Sequence, residues 1–286
     1  MRQGWIIALA LLALLPRAEA RPFIVAGGSD MAPYQFTGAD GHVTGILVHL
    51  YGECFRRLGI EFEYETYPWT RAQSRVQSGE ADAMSTVTTD NRLTYAVPGN
   101  AILAIERLVA FAKRDNPRFD DIAKAQSIGD LKGLRILAQM GSGWAEQNLP
   151  KDQILYGNDP EDLLVMLAVG RADLLIEDAA VTRLRLEGLR TRYPNLPFDT
   201  IEAAQTPLAT LEFRMMVSKK SGYLGRLKDI DRTLDEMHRD GTIGLIYSQF
   251  GLPDQSLPPL TDTPLPDAPP TDKPPADTPA GDDGSK

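Results

Sequence analysis

Through most of this chain, short apolar runs that stop at glycine or at charge alternate with stretches whose apolar residues recur at helical spacing. That alternation restricts the fold more than any other feature. Residues 23–26 are apolar and stop at Gly27-Gly28; Ile46, Leu47, Leu50, Tyr51, Cys54, Phe55 and Leu58 then mark one face of a helix that Gly59 closes. Ile60, Phe62 and Tyr64 alternate with Glu61, Glu63 and Glu65, the period of a strand with one wet face. Thr70 is placed to cap a helix over 71–77, Gly79 ends it, and a strand at 81–85 follows. The second half repeats the pattern. Strands are expected at 108–112, 134–138, 174–176 and 213–217, with helices opening at Pro160, after Asp178, and around Leu227 and Ile243. Such alternation predicts α/β layers built on largely parallel sheets.

Both ends depart from that pattern. Arg2 precedes an apolar run from Trp5 to Leu15, and Ala18-Glu19-Ala20 places small residues where a signal peptidase reads them, so residues 1–20 have the form of a secretory signal removed after Ala20. Residues 252–286 hold ten of the 21 prolines and seven Asp against two Lys, which accounts for five of the nine net negative charges. This composition predicts a disordered acidic spacer. Cys54 is the only cysteine, so the chain has no internal disulfide and no thiolate cluster. His42, His49 and His238 show no metal or triad spacing, and no metal or cofactor is expected. The net acidic body lacks the clustered positive charge that nucleic acid requires.

One stretch points to a site. From Tyr67 to Arg92 the pattern runs strand end, helix, apolar strand, then a hydroxyl-rich loop closing on a single arginine. Open α/β sheets bind ligands at the carboxyl edge of their strands. A guanidinium there can grip a carboxylate with two parallel hydrogen bonds, helped by the hydroxyls of Ser85, Thr86, Thr88 and Thr89. In the second half, Gly141-Ser142-Gly143 opens a helix whose free N–H groups suit an anion. Plainer roles stand beside these: Arg92 as a surface arginine, Trp69 as core, Ser142 and Asp178 as ordinary helix caps.

Six short motifs, in order, resemble the family 3 extracellular solute-binding proteins, the polar amino-acid receptors of bacterial ABC importers. They are Tyr67-Pro68-Trp69-Thr70-Arg71-Ala72, Ser78-Gly79-Glu80-Ala81-Asp82, Thr89-Asp90-Asn91-Arg92, Leu131-Lys132-Gly133-Leu134-Arg135, Gly170-Arg171-Ala172-Asp173 and Asp240-Gly241-Thr242-Ile243. The resemblance implies a type II periplasmic-binding-protein fold: two α/β lobes, 22–104 plus 210–251 and 105–209, joined by crossing strands near Ala104 and Thr210. It also implies that Arg92 takes a ligand α-carboxylate, Asp178 takes the α-ammonium from the other lobe, and Ser142 and Gly143 help hold the carboxylate. Trp69 on one side, with Met31 and Tyr34 on the other, would form the walls. The expected protein is a monomeric periplasmic receptor, without enzymatic activity, that closes on an amino acid or small carboxylate and presents it to a membrane permease. Two alternatives share the fold: a prephenate-type dehydratase with Glu177 as general acid, and a sensory module without a transporter.

Overall fold

The computed structural model describes residues 21–28 and 31–252. The expected signal segment lies outside the described residues, as does the tail from residue 253 onward. Strand β1 (Phe23–Gly28) is followed by a short hairpin, β2 (Phe36–Thr37) and β3 (Val43–Thr44), and by helix α1 (Ile46–Leu58). Next come β4 (Phe62–Tyr67), α2 (Trp69–Ser78), β5 (Ala83–Thr86), α3 (Asp90–Tyr95) and the long strand β6 (Ala96–Lys113). The middle of the chain holds α4 (Phe119–Lys124), β7 (Ile136–Gln139), α5 (Gly143–Asn148), β8 (Ile154–Gly157), α6 (Pro160–Ala168), β9 (Leu174–Asp178) and α7 (Ala179–Arg192). After β10 (Ile201–Ala203), strand β11 (Ala209–Ser218) returns, and α8 (Leu227–Arg239) and α9 (Thr242–Gln249) finish the fold.

The strands form two parallel groups. One is β4-β1-β5 and the other is β9-β7-β8, joined in the middle by β11 and β6. Those two central strands pair antiparallel with each other and with their flanking groups, so the sheet is mixed rather than largely parallel. The reason is connectivity: one chain segment must leave the first lobe and another must come back. Each group is covered on both faces. Val25 packs with α1, α8 and α9, whereas its neighbour Ala26 packs with Ala72 and Val76 of α2. In the other group Ile136 and Ala138 face Ile122 of α4, and Leu137 faces Leu163 and Leu167 of α6. Along β6 the packing changes hands: Ala101, Leu103 and Ala104 belong to the first lobe's core, and Leu108, Ala110 and Ala112 to the second's.

Candidate functional site

A cleft of about 320 Å³ opens between the two halves, over the central strands. That lies in the range of small-molecule sites, about 300–1,000 Å³. Its floor is Leu108 of β6 with Leu211 and Phe213 of β11. The carboxyl ends of β1, β4 and β5 open onto it from one side through Gly28, Pro68 and Thr86, and those of β7 and β9 from the other through Gln139 and Asp178. Strand order thus places the cleft where open α/β sheets bind ligands.

Arg92 lies in the first turn of α3, behind the N-cap Thr89, whose hydroxyl accepts from the Arg92 N–H at 3.3 Å. At 2% exposure it is not a surface arginine. Its hydrogen bonds go to neutral acceptors: Nε and Nη2 to Gln73 Oε1 at 3.2 and 3.1 Å, Nη1 to Val87 O at 2.9 Å, and Nη2 to Gly141 O at 3.3 Å. The guanidinium also lies 5.4 Å from the Trp69 ring. Burial pulls its pKa below the ordinary arginine value, and the nearby Tyr95, Glu146 and Glu106 only partly offset that.

Trp69 is the first residue of α2, so this helix starts one residue before the expected cap Thr70 and has no side-chain cap. Trp69 Nε1 donates to Gly141 O at 3.0 Å, and Gln73 Nε2 reaches the same oxygen at 3.3 Å. The Gly141 carbonyl, from the loop after β7, thus gathers three donors from the opposite lobe. Ser142 and Gly143 line the cleft beside it, and the Ser142 hydroxyl caps α5 by accepting from Ala145 N at 3.4 Å.

Across the cleft, Asp178 is buried at the end of β9 and caps α7 through Oδ1, which accepts from Ala180 and Val181 N–H, both at 2.9 Å. Oδ2 accepts from Arg107 N–H at 3.0 Å. Desolvation still raises its pKa, because three backbone dipoles do not replace bulk water or a cation. Capping and lining of the cleft therefore coexist in one side chain.

Of the other expected residues, Met31, Ser85 and Thr86 line the cleft. The Ser85 hydroxyl shares a hydrogen bond with Tyr51. Thr88 is exposed and outside the lining, and Tyr34 is buried in the first lobe's core rather than forming a wall. In the place expected for Tyr34 stands Gln35, held by Tyr64 Oη and by a 3.1 Å bond to Gly28 O. Sequence reasoning missed Gln73, Glu106, Gln139 and Arg185. Gln73 is four positions after Trp69 and therefore on the same helix face. Glu106 was detectable as one of two adjacent charges, with Arg107, inside an otherwise apolar run. Among the described residues no group of three or more His, Cys, Asp or Glu side chains is placed to hold a metal ion, and no helix is long and apolar enough to cross a membrane.

Two α/β lobes joined by paired central strands, with a cleft between them, define the periplasmic-binding-protein architecture. A profile of the bacterial extracellular solute-binding proteins, family 3, matches residues 23–253, and the chain belongs to that family. It is 24% identical to the L-cystine-binding protein TcyJ of Escherichia coli over 236 residues, covering 80% of this chain and 83% of that protein. It is likewise 24% identical to the probable amino-acid-binding protein YxeM of Bacillus subtilis over 212 residues, covering 71% and 74%. Among solved structures, the arginine-, lysine-, histidine-binding protein ArtJ of Geobacillus stearothermophilus superposes with a TM-score of 0.67 at 19% identity, covering 82% of this chain and 97% of ArtJ.

Proposed function

We propose that this solute-binding protein captures a free amino acid in the periplasm, with Arg92 holding the carboxylate and Asp178 the ammonium, and hands it to an ABC permease as a monomer. The observation that carries the reading is a buried guanidinium and a buried carboxylate, one from each lobe, lining the same cleft with neutral partners only in their hydrogen bonds. A ligand carboxylate is a stronger acceptor than the peptide oxygen of Gly141, since charge-assisted bonds are roughly twice as strong as neutral ones. It would take over Arg92 Nη2–H while its ammonium answers Asp178. A zwitterion bridging the lobes binds the closed form better than the open one and shifts the population accordingly. The lobes divide at 22–104 plus 210–251 and 105–209 in this reading. Binding rather than catalysis is supported by the relatives above, which are named as binding proteins.

Calorimetric titration with L-arginine, L-lysine, L-histidine and L-cystine tests the reading. At least one should bind, and Arg92→Ala should lose at least about 2–5 kcal/mol of that affinity with an unchanged circular dichroism spectrum. Equal affinity in Arg92→Ala, or no binding to the native chain, overturns it.

A further inference from the structure

The floor of the cleft carries one charge. On β6, Glu106 shares a face with Ala104 and Leu108, stands opposite Leu211 of β11, and lines the cleft together with Leu108, Leu211 and Phe213. It is 6% exposed. No hydrogen bond is made to its carboxyl group among the described residues; burial dominates its environment, followed by the charges of Asp178 and Glu177, with Arg92 opposing them. Other charged groups line the cleft too, among them Arg185, Asp159 and Glu161. Arg185 of α7 acts on Glu177, and the Tyr34 phenol is pushed up chiefly by burial and then by the charges of Asp178, Tyr247 and Glu106. Arg107 is exposed on β6, and Glu212 of β11 is exposed and paired with Arg214 at 2.6 Å.

A carboxylate buried among apolar side chains without a donor is costly, and such a group keeps its proton instead. Two further carboxyls beside it would repel any anionic part of a ligand. A positive group, by contrast, is attracted by all three.

Resting on the amino-acid reading above, we propose that Glu106 makes the cleft selective for a cationic nitrogen, which lies between the carboxyl groups of Glu106 and Asp178. In the empty cleft Glu106 holds a proton. As the ligand's ammonium or guanidinium arrives, the O–H bond of Glu106 breaks, the proton passes to solvent, and a carboxylate–cation pair forms. Binding therefore releases up to one proton per ligand. Affinity rises with pH until Glu106 is ionised in the empty protein and then levels off.

The test is calorimetric titration of the purified chain with L-arginine, L-lysine, L-histidine and L-cystine, and with succinate as an amine-free acid, in phosphate and in Tris at matched pH. Expected are buffer-dependent heats that report proton release, no binding of succinate, and at alkaline pH a loss of affinity of about tenfold or more in Glu106→Gln. That loss narrows at acid pH, where the native Glu106 is protonated too, and the variant releases no proton. A purely structural Glu106 would not produce this pH-dependent convergence. Amino-acid binding with equal heats in both buffers, or succinate binding as tight as that of the amino acids, overturns the role of Glu106 while leaving that of Arg92 standing. Absence of binding by all four amino acids overturns both.

Discussion

Arg92 is legible as a single residue, a lone arginine closing a hydroxyl-rich loop, whereas Asp178, the second of two adjacent acids ending an apolar strand, is singled out only by the family resemblance. What holds them was less visible. Gln73 Oε1 accepts from both Nε and Nη2 of Arg92, fixing the plane of the guanidinium, and nothing in a glutamine's neighbours along the chain announces that role. Hydrogen bonds to charged groups are worth about 1.5–3 kcal/mol. Gln73→Ala orphans two buried donors and is therefore expected to weaken amino-acid binding by about tenfold or more and to lower the melting temperature as well; calorimetry and thermal unfolding check the two halves. Glu106 escaped notice for a related reason. A charge in an apolar run can face solvent or a cleft, and only the pairing of β6 with β11 decides which.

Among elements, the helices with strong apolar periodicity were legible to within a few residues: α1 ends at Gly59 in a left-handed cap, and α8 buries Ile230, Leu234 and Met237 on one face. Strand β6 was seen only over its second half. Its first half contains Pro98 and Gly99, which ordinarily end strands, and β11 shifts register opposite that region. The backbone donors there are met from afar. Asp231, on α8, accepts from Asn100 N at 2.9 Å and Ala101 N at 3.2 Å. Asp231→Ala leaves both N–H groups without that acceptor and is expected to cost about 1–3 kcal/mol in denaturant unfolding. Faster hydrogen exchange confined to residues 100 and 101 would locate the cause; unchanged exchange there would contradict it.

At the scale of the whole molecule, the two lobes meet where α5 begins. A methyl group at Gly143 would lie 2.8 Å from Thr89 Cγ2 and 3.1 Å from Arg92 Nη1, so only glycine lets the second lobe approach the arginine this closely. Gly143→Ala is expected to hold the lobes apart, lowering amino-acid affinity several-fold and leaving the liganded protein with a larger radius of gyration in solution scattering. Native-like compaction on ligand addition would refute that. Sequence alone determined the fold class and the ends of the main helices, because periodicity and caps act over a few neighbouring residues. Tertiary structure decided that the sheet is mixed, that Tyr34 and Thr88 stay out of the cleft, that Gln35 and Glu106 enter it, and that Gln73 holds Arg92. Those outcomes depend on strand order, register and lobe approach, which are set by contacts between residues tens to more than a hundred positions apart, as the Arg107–Asp178 and Ala101–Asp231 hydrogen bonds are.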